Sequence, residues 1–339
     1  MTKPLVSILV PAYNAERWIA ETLRSALAQT WPHKEIIVVD DGSRDRTLEV
    51  ARQFAGRGVR VVSQKNQGAS ATRNAAFQLS RGDYIQWLDA DDLLSADKTS
   101  LQAERAEKLN DPRMLLSCGW GSFLYRYSRA RFQPTPLWCD LSPAEWLLRK
   151  MSLNLHMQTA TWLVSRELTE AAGAWNTTLR VDDDGEYFCR VLLASHGVSF
   201  VPGARVYYRA SGAGSVSYIG QSDAKRESQW QSMQYHIAYL RSLEDSPRTR
   251  AACVTYLGSW LMFFDPERPE LIGKIQLAAR ELGGELAMPR LPRKYSWLGW
   301  FGGKMGRRAQ MVMPRLKWSV LRFCDRFLYM LERRESQAG

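Results

Sequence analysis

"LVSILVPAYNAERWIAETLRSALAQTWPHKEIIVVDDGS", residues 5–43, contains one strand, one helix and a second strand in succession. Residues 5–10 and 35–39 are short, β-rich apolar runs, whereas 16–29 carry helical periodicity. There Trp18, Thr22 and Ala26, with Leu23 and Leu27, fall at the i, i+4 spacing of a buried face. The pattern continues through apolar runs at 59–63 and 84–88 and helical stretches at 45–55 and 69–80. Strand and helix alternate, which predicts an α/β fold built on a mainly parallel sheet flanked by helices. In open sheets of that kind ligands bind beyond the C-terminal strand ends. Those ends read "PAYN" (11–14), "DDGS" (40–43) and "DADD" (89–92), so three polar clusters are expected along one edge.

From about residue 114 the pattern changes to separate strands, "MLLSCGWGSFLY" and "TATWLVS", with a helical "SPAEWLLRK" between them. A second acidic cluster, "RVDDDGEYFCRVLLA" (180–194), places Asp182, Asp183 and Asp184 at a helix start, and a strand follows at 198–209. "SGAGSVS" reads as a flexible loop. Residues 222–285 read as entirely helical, giving a C-terminal, mostly helical extension. The expected organisation is one α/β region over 1–215 whose pattern changes near 113, then a helical region over 216–288 and a tail over 289–339.

The net charge of +11 is concentrated in that tail, where 12 Lys or Arg face 3 Asp or Glu, a net +9 that leaves +2 for the first 288 residues. Its basic residues interleave with Trp, Phe and Met, and Leu316, Val320, Phe323, Phe327 and Leu331 share one helical face. Such a segment suits an anionic membrane surface or, alternatively, packing of its apolar face on the α/β region, and a nucleic-acid partner is not expected. The five cysteines are scattered without a C-x-x-C pair, which argues against a zinc site or a disulfide framework. With no secretory signal and no long apolar run, the expected location is the cytoplasm, with the tail on the inner face of the cytoplasmic membrane.

Asp89, Asp91 and Asp92 follow a strand directly, and clustered acids call for a positive partner. Asp-x-Asp at a strand end suits Mn2+ or Mg2+, which prefer oxygen ligands and share them between carboxylates and substrate phosphates. Taken alone, the same acids also fit a solvated loop or a helix cap. No glycine-rich phosphate cradle occurs, so phosphate binding falls to metal and arginine.

"VSILVPAYNAERWIAETLRSALAQTWPHKEIIVVDDGSRDRT", "NQGASATRNAAF" and "GDYIQWLDADD", in this order and spacing, closely resemble the family 2 glycosyltransferases. These enzymes have the GT-A fold, a Rossmann-like α/β architecture, and transfer sugar from a nucleotide-activated donor. The resemblance covers roughly residues 4–210, and it implies a catalytic domain over 1–215 with a nucleotide-binding half over about 1–113 and an acceptor half over about 114–215. It implies that Pro11, Ala12 and Tyr13 line the base pocket and that Asp41 accepts the N3 hydrogen of a uracil-like base, with Asp40 structural. It also implies that Arg73 lies near the diphosphate or the metal-binding acids. Asp89, Ala90 and Asp91 then form the D-x-D, with Asp91, Asp92 and Asp89 as candidate metal ligands. Asp183 falls at the Glu position of the family's acidic motif and Asp184 at its catalytic Asp, the base of an inverting transfer. In "YYRASGAGSVS" the chain keeps Tyr208, Arg209, Ser215 and Ser217 but has Ser211 near the position where many relatives carry a metal-binding His. Of the four histidines only His156 is a candidate for the acceptor side.

The expected function is thus a metal-dependent, inverting hexosyltransferase that moves sugar from a nucleotide-diphosphate sugar, with UDP favoured, to a hydroxyl on a surface glycan or lipid-linked acceptor. A polyprenyl-phosphate sugar synthase is the alternative within the class. A non-catalytic nucleic-acid or glycan-binding protein is the alternative outside it.

Overall fold

The first apolar run becomes strand β1 (Val6–Ala12), nearly all of it buried, as a strand covered on both faces must be. The computed structural model describes residues 3–210, 222–264, 268–286 and 321–332. In it β1 pairs in parallel with β2 (Lys34–Asp40) on one side and β4 (Tyr84–Trp87) on the other, and β2 pairs in parallel with β3 (Val59–Ser63). The crossovers are α1 (Ile19–Leu27), α2 (Thr47–Arg52) and α3 (Ala69–Leu79). Helix α1 buries Ile19, Thr22, Leu23 and Ala26, while Trp18 and Leu27 are half-buried. Because Ala12 stands opposite Asp40 in the register, the polar ends of β1 and β2 come out level.

A short antiparallel strand, β8 (Val164–Ser165), closes the sheet beside β4, for an order β3-β2-β1-β4-β8. A second, four-stranded sheet has the order β5-β9-β6-β7, from β5 (Leu93–Leu94), β6 (Met114–Phe123), β7 (Arg131–Phe132) and the long β9 (Gly197–Arg209). The remaining helices are α4 (Lys98–Leu109), α5 (Pro143–Leu153), α6 (Arg166–Ala172), α7 (Asp183–Ala194), α8 (Asp223–Leu243), α9 (Pro247–Phe264) and α10 (Pro269–Glu281). A further helix spans 321–332.

Two expectations change in detail. "TATWLVS" opens as a 3-10 turn over Thr159–Thr161, because the Gln158 side chain accepts the Ala160 N–H at 2.9 Å and fixes a local turn ahead of the two-residue strand. Residues 222–285 are not one helical run. They break between Leu243 and Pro247 and between Phe264 and Pro269, since proline starts a helix readily but lacks the N–H to continue one.

The chain packs as two compact units. The first comprises Met1–Ser122, Arg131–Lys150 and Leu155–Asp245, and contains both sheets and every candidate site residue. The second comprises Phe123–Ala130, Met151–Asn154 and the chain from Ser246 onward. Among the described residues no helix is long and apolar enough to cross a membrane.

Candidate active site

At the ends of β1 and β2, Pro11 is half-buried, Ala12 is buried and Tyr13 is 45% exposed. Asp41 lies beneath them and organises the loop into α3. Its carboxylate accepts the N–H of Gln67 at 2.9 Å, the N–H of Gly68 at 2.8 Å and the Gln64 side-chain amide at 2.8 Å. A carboxylate offers about four lone-pair positions, so acceptor capacity remains for one ligand N–H. Asp40 accepts the Ser43 N–H and the Ser63 hydroxyl, bonds that hold the β2 end in place.

Arg73 joins the two acidic clusters. Carried on α3, it donates from one guanidinium nitrogen to Asp89 at 2.8 Å and from another to Asp183 at 2.9 Å. Ser70, one turn earlier, donates to the same Asp183 oxygen at 2.8 Å. Asn74 grips the backbone of Trp175 with two hydrogen bonds. Ser70, Arg73 and Asn74 share a helix face by their spacing, so one face of α3 fixes the segment leading into α7. The guanidinium also lies 4.4 Å from the Trp175 ring. Burial alone would lower the pKa of Arg73, but Asp89, Asp183 and Asp184 outweigh it and raise it further.

The other acids have distinct surroundings. Asp92 is fully buried and accepts the Arg209 N–H at 2.8 Å. Burial, with Asp91 and Asp89 beside it, raises its pKa well above the usual carboxylate value. The Arg209 side chain donates to the Asp91 carbonyl at 2.8 Å and to Glu21 at 2.8 Å, and lies 4.0 Å from the Trp18 ring, which ties the D-x-D loop to α1 and β9. Ala90 is buried, its carbonyl accepting the Thr22 hydroxyl at 3.0 Å. Asp89 and Asp91 keep partly exposed side chains at the strand end.

In the second cluster Asp182 takes a left-handed backbone (φ 55) and accepts the Ser232 hydroxyl from α8 at 2.6 Å. A Cβ on Gly185 would collide with that Asp182 carboxylate, so a larger residue after the three acids would have to displace it. Asp184 accepts the Thr159 hydroxyl at 3.2 Å. Its carboxyl is closely surrounded by protein, and that burial, with Asp183 and Asp182 alongside, pushes its pKa up to about 7 against the pull of Arg73. Beside the acids stand Tyr208, Trp120 and His156, with ring centroids 5.8 Å apart for Trp120 and Tyr208 and 5.1 Å for Trp120 and His156. Burial and then Asp92, Asp91, Asp89 and Asp184 raise the Tyr208 pKa, so both clusters act on one phenol.

Among the described residues no group of three or more His, Cys, Asp or Glu is arranged as a metal cage. Asp89 and Asp91 nevertheless form a donor set that fits Mn2+ or Mg2+, which take one or two carboxylates and complete their shell with phosphate and water. Ser211, Ser215 and Ser217 lie outside the described residues. Thr159, Ser70, Trp175, Ser232 and Glu21 were not identified from sequence. Of these, Ser70 and Glu21 lie inside the stretches that carry the resemblance.

The family model described as Glycosyl transferase family 2 matches residues 7–150. The uncharacterized glycosyltransferase EpsJ of Bacillus subtilis (strain 168) is 33% identical over 183 residues, 53% of this chain and 52% of that protein. The chain thus spans about half the length of this curated relative. Among solved structures, S. aureus TarS 1–349 in complex with UDP-GlcNAc matches with a TM-score of 0.66 at 18% identity, over 81% of each chain. The mannosyltransferase PcManGT from Pyrobaculum calidifontis, in complex with GDP-Man and Mn2+, matches with a TM-score of 0.52 at 19% identity, over 98% of this chain and 86% of that one. At these identities the structural likeness is one of fold.

Proposed function

We propose that this chain, whose residues 7–150 match the family 2 glycosyltransferase model, is an enzyme of that family that catalyses inverting, metal-dependent transfer of a sugar from a UDP-sugar to a hydroxyl acceptor in surface polysaccharide or glycolipid synthesis. The observation that carries this reading is the Arg73 bridge, which holds the D-x-D end against the segment bearing Asp184, whose surroundings push its pKa up to about 7. A general base works best when its pKa lies near the operating pH.

Asp184 takes the proton from the acceptor hydroxyl as that oxygen attacks the sugar C1 on the face opposite the leaving diphosphate. Thr159 orients the Asp184 carboxylate through its hydrogen bond. Asp41 receives the N3 hydrogen of the base with its remaining acceptor capacity, while Pro11, Ala12 and Tyr13 border that pocket. Asp89 and Asp91 would hold the Mn2+ or Mg2+, which when bound offsets the charge on the leaving diphosphate. Trp120, Tyr208 and His156 offer ring faces to an acceptor sugar. UDP-GlcNAc in the TarS complex and GDP-Man with Mn2+ in the PcManGT complex are donor chemistries that this fold accommodates.

The test is a panel of nucleotide sugars assayed with Mn2+ or Mg2+ for binding and slow hydrolysis, on the native chain and on Asp184→Asn. Binding of a UDP-sugar by both, with turnover lost only in the variant, is the expected result. Turnover retained by Asp184→Asn points to a polyprenyl-phosphate acceptor, whose anionic oxygen needs no base. Binding of no nucleotide sugar in the presence of metal overturns the enzyme reading.

A further inference from the structure

The helix over 321–332 is attached by its polar side. At 3.6 residues per turn, Asp325, Tyr329 and Glu332 fall along one face. Asp325 accepts the Tyr125 N–H at 2.9 Å and the Arg126 Nε at 2.7 Å, and Glu332 accepts from Arg126 at 3.0 Å. The Tyr329 ring lies 5.9 Å from that of Tyr125. Arg126 and Asp325 are only 14% and 16% exposed, so this is a part-buried clamp and not a loose surface pair.

The opposite face is apolar and open. Along it Phe323 is 73% exposed, Phe327 53% and Met330 46%, with Leu331 at 41% on its flank. An ordinary surface helix turns its apolar stripe inward and its charges outward, and this one does the reverse. Arg326 stands exposed on the flank of the apolar face. The sequence around the helix is strongly basic, with net +9 over 289–339, and includes Trp297, Trp300, Phe301 and Trp318.

We propose that this face inserts into the interfacial region of an anionic lipid bilayer, with the Asp325–Arg126 clamp fixing the helix so that Phe323 and Phe327 point outward. Charge selects the occupant. A lipid surface bearing negative headgroups complements the basic surroundings, whereas a second copy would bring one strongly basic segment against another. A nucleic acid would engage the basic residues and leave the phenylalanines in water. The proposal is independent of the catalytic reading, because none of these residues belongs to the candidate active site.

The experiment is co-sedimentation of the full chain with vesicles of phosphatidylcholine alone and of phosphatidylcholine mixed with phosphatidylglycerol. Binding to the mixed vesicles, weakened by high salt, and little binding to the neutral ones are expected. Phe323→Ser combined with Phe327→Ser should lower partitioning at least about tenfold, since each ring loses the gain of leaving water. Both side chains are exposed, so an unchanged melting temperature confirms that the variant is folded. Three results overturn the proposal: no sedimentation with mixed vesicles, equal binding to neutral ones, or undiminished binding by the double variant. A concentration-dependent dimer that the double variant abolishes, without vesicle binding, assigns the face to a second copy instead.

Discussion

Residues 89–92 and 182–184 each set three aspartates at the end of an element, and the surroundings of those aspartates differ residue by residue. In each cluster one acid, Asp89 or Asp183, is paired with Arg73. In each, another is held by a neighbouring element: Asp92 by the backbone of β9 and Asp182 by Ser232 of α8. The third differs. Asp91 and Asp184 are both partly exposed, but Asp184 accepts the Thr159 hydroxyl and has its pKa pushed up to about 7. The contrast teaches that an acidic run is a set of separate decisions made by whatever packs against each residue, and that a single cation can serve two runs.

The widest separation between the clusters should appear at Asp184. Asp184→Asn is expected to cut sugar transfer by about 10²–10⁴ while donor affinity, measured by calorimetry, stays unchanged. The same substitution has an opposite effect on stability. Because burial raises the folded-state pKa of Asp184, its contribution is fully present below the ordinary carboxylate pKa and is lost as pH rises through about 7. The variant should therefore melt higher than the native chain above that pH, and not below the ordinary carboxylate range.

Arg73→Met removes what the clusters share and leaves two carboxylates without their cation. A stability loss of about 3–5 kcal/mol is expected by urea denaturation, and adding Asp89→Asn and Asp183→Asn should recover much of it. Single-cluster effects are smaller. In the native enzyme kcat/KM should fall about tenfold per pH unit on the acid side of the Asp184 pKa of about 7, and Asp182→Asn should keep that limb. Ser232→Ala should cost about 1 kcal/mol through the lost bond to Asp182, read as a shift in the denaturation midpoint. Asp92→Asn should change least, with transfer within a few-fold of native, since an amide oxygen accepts the Arg209 N–H as well; a loss equal to that in Asp91→Asn would give Asp92 a direct role.

The N-terminal sheet was legible because its signals are local. The apolar runs, the helical spacing of α1 and the acids directly after β2 and β4 lie within a few residues of one another, and the sheet brings the strand ends together. The partners of those acids were not legible, because they come from far along the chain. Ser70 meets Asp183 across 113 positions and Arg209 meets Asp92 across 117. Helix α8 hid its role for another reason: it buries Arg226, Ser228, Gln229, Ser232 and His236, so apolar periodicity does not mark its inner face. Strand β8 is two residues long, too short for any alternation to show.

Arg73 also constrains how this sequence can drift. Its two ion pairs reach 16 positions forward to Asp89 and 110 positions forward to Asp183, so a change at any one of the three alters the pairing of the others. Losing the cation cannot be repaired by one further change, because neutralising either acid still strands the other. A lineage that abandons this bridge has to pass through intermediates carrying an unmatched buried charge, which makes the position a one-way gate in sequence space.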